Sequence, residues 1–319
     1  ITYNVSGNVN TNAGNYTLTI TGNGNFEGTA QKTYTIARKS VEGANVGSFN
    51  ALTYTGSAQT PVASVTIDGL TATGTWSVVR NVEDVTTFTA SGNFTGTIAN
   101  QSTGMAKATP VVTAPVAKAS LIYNTSALAL ADEGSTTGGT MQYSLDNISW
   151  SNDIPSGTNA GDYTIYYKVV GNSNYNDVAA QSIFVSIANA DMSADITADG
   201  YNRVFDNQAH TISVTIPDGA SIKYGTLDGT YELVAAPQYT NVGTYKVYYK
   251  VEKANYNAVT GSADVVITAK DISNAEITLG EALTYTDSEQ TRDFTVAPLD
   301  GLEIDYTVSG NTGKDAGVY

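Results

Sequence analysis

Few side chains in this sequence have catalytic potential. His210 is the one histidine, and there is no cysteine. Zinc or copper sites built from histidine and cysteine are therefore excluded, as are Cys–His nucleophiles. A Ser-His-Asp triad would have to use His210, which stands at the start of a predicted strand within Gln208-Ala-His-Thr-Ile212. We interpret this histidine as a polar residue at a sheet edge.

The acidic residues offer two other kinds of chemistry. Paired carboxylates can hydrolyse glycosidic bonds, but here they lie in turns at non-equivalent positions, with no cleft-sized domain to hold them. Carboxylates can also bind calcium between domains and stiffen an array. They gather at two predicted connectors: Asp191, Asp195 and Asp199, then Asp271, Glu276 and Glu281. No EF-hand or tandem Asp-x-Asp pattern accompanies them, so we prefer solvated linker charge to interdomain calcium.

Two further patterns resemble reactive motifs but fit ordinary structure better. Gly22, Gly24 and Gly28 follow a strand without opening a helix, which a phosphate-binding loop requires. Lys168 and Lys250 occupy equivalent strand positions, and a buried lysine beside a carboxylic acid can form an intramolecular amide bond. Both lysines are predicted on the outward face, so we expect free side chains. The sequence assigns no catalytic, cofactor-binding or metal site.

Composition restricts the function classes. The chain has 319 residues, with 15 Lys and Arg against 30 Asp and Glu and a formal net charge of −15. Such a chain repels nucleic acid and anionic lipid, so neither is an expected partner. Charged residues make up 14% of the chain, and Thr, Asn, Ser and Gly fill most polar positions. No apolar run approaches the roughly 20 residues needed to cross a bilayer, so we expect no membrane contact by this segment.

The elements that carry these residues repeat along the chain. An Asn/Asp-x-Gly-x-Tyr motif recurs, with one degenerate copy that lacks the glycine: Asn12–Tyr16, Asn81–Phe88, Asn159–Tyr163, Asn241–Tyr245 and Asp315–Tyr319. The final aromatic anchors follow one another at intervals of 72, 75, 82 and 74 residues. That period fits one small β domain per repeat. In the degenerate copy we expect a looser turn, because the glycine is missing.

The residues after each anchor alternate with period two, which predicts half-buried strands. In the third repeat Ile165, Tyr167 and Val169 are predicted inward, and Tyr166 and Lys168 outward. The fourth repeat has the same pattern, with Tyr248 and Lys250 outward. Each repeat is predicted to end on one more strand, which we call its closing strand. The four closing strands are Thr33–Ile36, Gly104–Ala108, Ile183–Ile187 and Val265–Ile267.

A turn rich in Gly and Asn follows each alternating strand, because these residues adopt the positive φ of tight hairpins. Each turn ends on an aromatic residue that is predicted to plug one end of a core: Phe26, Phe94, Tyr175 and Tyr256. A second aromatic residue recurs about thirteen residues before each anchor, and at two of these positions it is a tryptophan. Trp76 and Trp150 are therefore predicted core residues.

These motifs resemble the tandem MBG and YDG repeats, or bacterial Ig-like repeats, of large bacterial cell-surface proteins. The resemblance rests on four stretches: Leu52–Pro61, Leu283–Thr291, Asn159–Thr164 and Gly22–Thr29. It covers essentially the whole chain and implies secretion, a wall- or membrane-anchored parent protein and a stalk or adhesin role. The family has no catalytic residues to transfer.

We predict an all-β fold, a tandem array of small Ig-like antiparallel β-sandwich domains that forms an elongated rod. β-grasp-like units are the alternative, and a helix crossing the sheet would decide for them. Residues 40–109, 110–189 and 190–269 are three predicted repeats. Residues 1–39 are the C-terminal half of a repeat, and residues 270–319 are an N-terminal half.

Two functions fit these features. The first is a non-enzymatic structural stalk of a secreted bacterial surface adhesin or extracellular filament. The second is an adhesin module that binds carbohydrate or a host ligand, suggested by 21 tyrosines with Tyr166 and Tyr248 on the wet face. The expected partners are neighbouring repeats, copies of the chain itself, and glycans or a host surface. The expected location is the extracellular surface of a bacterium.

The first and last sixteen residues correspond to the same part of the repeat. Residues 1–16 and 304–319 align without a gap and are identical at nine positions. This predicts a window from a longer array in which the halves 1–39 and 270–319 pair with the next copy, along the chain or on a neighbouring subunit. In a continuous array, Tyr319 of one copy would lie one strand away from Ile1 of the next.

Overall fold

The computed structural model describes residues 2–315 and 317. The chain divides into two compact units. Residues 1–119, 127–157 and 162–186 form the first, and residues 120–126, 158–161 and 187–319 form the second. Within the described residues the one helical element is a 3₁₀ turn, Ser193–Asp195. Across those residues, no helix has the length and apolar character needed to span a membrane.

Short strands carry nearly all of the regular structure. Those before residue 110 are β1 (Tyr3–Ser6), β2 (Gly14–Gly22), β3 (Thr29–Ile36), β4 (Lys39–Ser40), β5 (Asn45–Val46), β6 (Val65–Ile67), β7 (Leu70–Thr71), β8 (Gly74–Trp76), β9 (Val85–Ala90), β10 (Phe94–Thr95) and β11 (Thr97–Ser102). Those of residues 110–189 are β12 (Val112–Thr113), β13 (Val116–Ala117), β14 (Leu121–Ile122), β15 (Leu128–Ala129), β16 (Ala131–Asp132), β17 (Ser135–Thr136), β18 (Thr140–Ser144), β19 (Ser156–Gly157), β20 (Gly161–Val170) and β21 (Val178–Ala188). The remainder are β22 (Thr197–Asp199), β23 (Tyr201–Val204), β24 (Ser213–Thr215), β25 (Ser221–Gly225), β26 (Gly243–Glu252), β27 (Val259–Thr268), β28 (Ile277–Leu279), β29 (Gln290–Thr291), β30 (Phe294–Val296) and β31 (Thr312–Gly313).

The fourth repeat shows the plan most fully. Its larger sheet has the order β23-β27-β26-β25, and β26 and β27 form a long antiparallel hairpin. The smaller sheet is the antiparallel pair β22–β24. Apolar side chains alternate along the hairpin, so one of its faces packs on the smaller sheet. The buried core consists of Met192, Ile212, Val247, Tyr249, Val251, Val265 and Ile267.

The second repeat has the same arrangement with shorter strands. The sheet β8-β9-β11 covers the sheet β5-β6-β7. Its core contains Val41, Val65, Trp76, Phe88 and Phe94. The indole nitrogen of Trp76 donates to the Ala63 carbonyl at 3.1 Å, which satisfies the polar atom of this buried ring. The prediction that Trp76 is a core residue is confirmed.

The third repeat contributes strands to both compact units. In the first unit, β18 pairs antiparallel with β20, with Tyr143 opposite Tyr167. In the second unit, β14 pairs parallel with the end of β21, with Leu121 opposite Ile187. The predicted inward side chains Ile165, Tyr167 and Val169 are buried, as the period of two requires.

The two outer segments have strands but no buried residue in the described positions. In residues 2–39, β1, β2 and β3 form a sheet of that order. In residues 270–315, β28 pairs with β30 and β29 with β31. Every described residue of both segments is exposed or half-buried, so neither segment has a core of its own.

The all-β sandwich fold predicted from the sequence is confirmed, and the described residues contain no helix that would cross a sheet in a β-grasp unit. The structure adds parallel pairing to the expected antiparallel sheets, as between β23 and β27. One closing strand was misplaced. In the second repeat it is Thr97–Ser102, and Gly104–Ala108 follows it with isolated bridges at Ala106 and Ala108.

The five predicted segments and the four boundaries between them remain predictions. Ile1 and Tyr319, whose relation would test a continuous array, lie outside the described residues.

Candidate inter-repeat joints

The Asn-x-Gly-x-Tyr motif forms a loop fixed by its own tyrosine. The Tyr16 hydroxyl donates to the Asn12 carbonyl at 2.7 Å, and the Tyr245 hydroxyl to the Asn241 carbonyl at 3.2 Å. The tyrosine ring folds back across the glycine. A Cβ on Gly243 would lie 2.9 Å from ring atoms of Tyr245, closer than real side chains approach. In the fourth repeat Gly243 therefore makes room for the ring whose hydroxyl binds the Asn241 carbonyl.

The degenerate loop of the second repeat is held in a different way. The Asp84 carboxylate accepts hydrogen bonds from the backbone N–H groups of Arg80 at 2.7 Å and Asn81 at 2.9 Å. Those hydrogen bonds, from Asn81 first, lower the pKa of Asp84. The prediction of a looser turn was therefore wrong, because a carboxylate replaces the tyrosine hydroxyl as the group that closes the loop.

Asn81 of this loop contacts a second asparagine, Asn174, from the following repeat. The Asn174 side-chain amide donates to the Asn81 side-chain oxygen at 3.1 Å, and its own oxygen accepts from the Val82 backbone N–H at 3.0 Å. The Ala108 backbone N–H donates to the Asn174 carbonyl at 3.0 Å. Asn174 thus binds the anchor loop and the end of the preceding repeat at once. We call this set of contacts a joint.

The same set recurs at two other connections. Asn93 donates to the Asn12 side chain at 3.0 Å and accepts from the Ala13 N–H at 2.8 Å. The Lys39 N–H donates to the Asn93 carbonyl at 2.9 Å.

At the third connection, Asn255 donates to the Asn159 side chain at 3.2 Å and accepts from the Ala160 N–H at 2.9 Å. The Ala190 N–H donates to the Asn255 carbonyl at 3.0 Å. Each joint lies within one compact unit.

The aromatic residue after each joint asparagine extends the contact. Tyr175 pairs in parallel with Ala108, and Tyr256 with Ala190. Both tyrosine rings also pack edge-to-face on a ring of the preceding repeat, Tyr175 on Tyr54 at 5.2 Å and Tyr256 on Tyr123 at 5.4 Å between centroids.

Phe94 is buried in the core of its own repeat, as predicted for the residue that ends a turn. The same prediction was wrong for Phe26, which is 52% exposed. For Tyr175 and Tyr256 the structure adds a contact across the joint to that predicted role.

The joint has no ionisable side chain in its hydrogen bonds. Amide–amide and amide–backbone pairs keep their donors and acceptors at any pH near neutrality, and salt does not screen them as it screens ion pairs. The arrangement is suited to a mechanical link and offers no nucleophile, acid or base.

His210 does not form a catalytic triad. Its Nε2 lies 2.8 Å from Asp206 Oδ1 and 3.0 Å from the Tyr201 hydroxyl. The Tyr201 ring stacks on the imidazole at 3.9 Å between centroids. The hydrogen bond from His210 lowers the pKa of Asp206. No described hydrogen bond joins the imidazole to a serine, and the contacts fit the predicted role at a sheet edge.

The acidic residues singled out for calcium do not come together. Among the described residues, no three acidic or histidine side chains form a group that could hold a metal. Asp191 instead accepts hydrogen bonds from the Ser193 N–H at 2.9 Å and hydroxyl at 2.8 Å. Asp271 binds Ser273 in the same way, at 2.8 and 3.0 Å. These contacts lower the pKa of both aspartates.

The two lysines considered for amide bonds lie on the outer face. The Lys250 ammonium pairs with Glu252 at 2.5 Å. The Lys168 ammonium lies 4.2 Å from the centroid of the Trp150 ring. The prediction of Trp150 as a core residue was therefore wrong, since its half-buried ring covers the outer face beside Lys168. The hairpin turn before Trp150 displaces it from the inward register that Trp76 keeps.

No protein-family model and no curated protein matches this chain. Among solved structures it is similar to the N-terminal eight Ig domains of Down Syndrome Cell Adhesion Molecule, with 13% identity over 94% of this chain and 53% of that chain at a TM-score of 0.21. It is also similar to the Protocadherin GammaB4 extracellular domain, with 11% identity over 85% of this chain and 57% of that chain at a TM-score of 0.23.

A third similar structure is that of domains 7, 8 and 9 of the S-layer protein SbsC, with 14% identity over 81% of this chain and 70% of that chain at a TM-score of 0.17. The chain thus spans 53% and 57% of the length of the first two structures.

Proposed function

We propose that this chain is a non-enzymatic structural segment, the stalk of a secreted bacterial surface adhesin or of an extracellular filament. The recurrence of the joint carries this proposal. Three successive connections use the same two side-chain hydrogen bonds and the same backbone hydrogen bond, at Asn93, Asn174 and Asn255.

The joint explains how such a stalk would resist bending. The backbone hydrogen bonds at Ala108 tie the end of one repeat to the turn of the next. The side chain of Asn174 then fixes that turn to a second element, the anchor loop at Asn81. Two attachment points on different elements restrain rotation more than one linker does. None of the three connections contains a flexible Gly/Ser linker.

Sequence features support the extracellular placement in this proposal. The chain has no cysteine and a net charge of −15, and its polar positions are filled mainly by uncharged hydrogen-bonding residues. Its motifs resemble the MBG and YDG repeats of bacterial surface proteins. On this proposal the His210 contacts are structural, and no reaction is assigned to them.

Small-angle scattering tests the stalk. We expect a maximum dimension above roughly 100 Å for the wild-type chain, since each repeat contributes strands of about 20 Å or more. Replacing Asn93, Asn174 and Asn255 together by alanine should broaden the distribution of dimensions and leave the β-sheet circular dichroism intact. Ser173→Ala, in the same turn as Asn174 but exposed, is the control. A globular wild-type profile, or a triple variant as stiff as wild type, would refute the proposal.

A second candidate function is glycan binding by the third repeat. Trp150, Tyr166 and Lys168 lie half-exposed on the outer face, and the ammonium of Lys168 approaches the Trp150 ring. Aromatic rings pack on sugar faces, and Tyr and Trp are enriched in binding surfaces. Binding on a glycan array that Trp150→Ala abolishes and Trp76→Phe preserves would support this candidate. An empty array at high protein concentration would exclude it.

A further inference from the structure

The chain enters and leaves the fourth repeat beside the same strand. Ala190, at the predicted start of this repeat, forms a parallel bridge with Tyr256, just before β27. Further along, β23 pairs in parallel with β27, beginning with Tyr201 opposite Val265. β27 ends one residue before the predicted end of the repeat. A strand near the start and the last strand are therefore neighbours in one sheet and run in the same direction.

The direction of these two strands decides how they respond to tension. Tension along a chain pulls the start of a repeat away from its end. Because β23 and β27 run in the same direction, this pull slides one strand along the other and loads all of their hydrogen bonds at once. A pull that separates two strand ends breaks the bonds one at a time. The bonds of a parallel pair are evenly spaced, so the four residue pairs of β23 and β27 share the load.

Close backbone contacts lie at both ends of this pairing. After the last pair, the Phe205 N–H donates a hydrogen bond to the Thr268 carbonyl at 2.9 Å. Before the first pair, a Cβ on Gly200 would lie 2.6 Å from the Asp264 carbonyl oxygen, closer than real side chains approach. Glycine therefore lets the chain come close to β27 where β23 begins. The two strands stay in contact from residue 200 to residue 205.

The two preceding repeats have shorter runs of parallel pairs. In the third repeat β14 and β21 share two residue pairs. At the start of the second repeat β4 and β10 also share two, and Thr53 adds an isolated parallel bridge to Ala106. β23 and β27 share four pairs in one run. A pull along the chain therefore meets a longer set of bonds, loaded together, in the fourth repeat than in the second.

We propose that β23 and β27 form a mechanical clamp with which the fourth repeat bears tension along the chain. The second repeat, whose parallel runs are shorter, yields before the fourth and releases about 3.3–3.6 Å of chain per residue. The stalk thus has a reserve of length that extends under load while the clamped repeat stays folded. This inference rests on the proposed stalk role, because only a stalk is loaded from end to end.

Pulling the full chain in two directions tests the clamp without altering it. The chain has no cysteine, so two introduced cysteines provide the attachment points for optical tweezers. Asn189→Cys with Ala269→Cys loads β23 and β27 along their length. Gln208→Cys with Ala269→Cys pulls at the end where both strands finish and separates them pair by pair. All three positions are exposed. At one loading rate we expect a severalfold higher unfolding force for the first combination, because four residue pairs break together.

Two proline variants of β23 give a matched comparison when the chain is pulled from residues 189 and 269. The Phe205 N–H donates to β27, and N–H groups alternate along a strand, so the Arg203 N–H also faces β27. The Val204 N–H points away from it, because β23 is the edge strand of its sheet. Arg203→Pro interrupts the run of four pairs and should lower the unfolding force. Val204→Pro, at the next exposed position, should leave that force unchanged.

The second repeat is measured in the same way. Arg38→Cys and Thr109→Cys, both at exposed positions, pull on its two ends. We expect it to unfold at a lower force than the fourth repeat. Arg203→Pro should bring the unfolding force of the fourth repeat down to about that of the second, since shorter runs of parallel pairs then remain in both.

Three results would overturn the clamp. One is an equal unfolding force in the two pulling directions. Another is an equal loss of force in Arg203→Pro and Val204→Pro, and the third is a second repeat that resists as much force as the fourth. Small-angle scattering separates these failures from a failure of the stalk. Equal forces with an extended wild-type profile would leave a stalk without a clamp, whereas a globular profile would refute the stalk itself.

Discussion

The side-chain amide of Asn174 donates a hydrogen bond to the side-chain oxygen of Asn81 at 3.1 Å. The two residues lie 93 positions apart in the sequence, and each belongs to a different repeat. An asparagine pair serves this purpose because each side chain presents both a donor and an acceptor. The pair links two successive repeats without a charge, a metal or a covalent bond.

A double-mutant cycle on this pair should reveal direct coupling. We expect Asn81→Ala and Asn174→Ala each to destabilise the chain, and the double variant to lose less than the sum. The coupling should be about 0.5–1.5 kcal/mol, the net contribution of a hydrogen bond. Urea unfolding followed by the fluorescence of Trp76 would measure it. Ser173→Ala should leave the midpoint unchanged, and strict additivity of the two asparagine variants would show that the contact is not formed in solution.

The glycine of the fourth anchor should resist any side chain. Gly243→Ala would place a Cβ 2.9 Å from the Tyr245 ring, so the ring must move and its hydrogen bond to the Asn241 carbonyl breaks. We expect a loss of about 1–3 kcal/mol in the free energy of unfolding. Tyr245→Phe removes only the hydroxyl and should cost less, about 0.5–1.5 kcal/mol. Chemical denaturation measures the free energy of unfolding of both variants. Equal losses in Gly243→Ala and Tyr245→Phe would contradict the proposed clash.

The two tryptophans should differ in their contributions to stability. Trp76 is buried among Val65, Phe88 and Phe94, so Trp76→Ala should cost about 3–5 kcal/mol. Trp150 contacts Lys168 on the outer face, and Trp150→Ala should cost about 1 kcal/mol or less. Differential scanning calorimetry of both variants measures the contrast. A large loss at Trp150 would place that ring in a core after all.

Acid should weaken the turn at Asp84. The backbone N–H groups of Asn81 and Arg80 lower the pKa of this carboxyl in the folded chain. A lowered folded-state pKa means that its stabilising contribution is complete above the unfolded pKa, near 3.9. That contribution is lost as the pH falls through the folded value.

The urea midpoints of wild type and Asp84→Asn should therefore differ by a constant amount above about pH 5. The difference should shrink below about pH 4 and vanish at lower pH. Because both proteins carry nearly the same net charge, the comparison cancels long-range repulsion. A difference between the two urea midpoints that grows on acidification would contradict this prediction.

Local sequence patterns predicted the long hairpin strands, such as β20 with β21 and β26 with β27. Period-two alternation identified the buried side of β20 and β26, because a side chain in a pleated strand alternates regardless of what it packs against. The anchor motif was identified as a repeat landmark, and its hydrogen bond from tyrosine to asparagine is equally local. Trp76 was assigned correctly since its strand continues the alternation without interruption.

The joints were decided by tertiary structure. Asn93, Asn174 and Asn255 recur directly before an aromatic residue, and that fixed offset was the available signal. It was interpreted as turn formation, because asparagine favours turns for local reasons. Their side-chain partners come from a segment about one repeat away, and no local pattern encodes that distance. Trp150 was misassigned for a related reason, since the hairpin before it shifts its direction.

Asp84 shows the same division between local and tertiary information. The sequence alone established that the glycine was missing from the Asn81 loop, and it suggested a loose turn. Whether a carboxylate can close that loop depends on where the backbone N–H groups of Arg80 and Asn81 point, which only the folded chain defines. Sequence thus determined which residues alternate and recur, because those properties depend on near neighbours. Tertiary structure decided which polar groups meet, because that depends on chain segments that are distant in sequence.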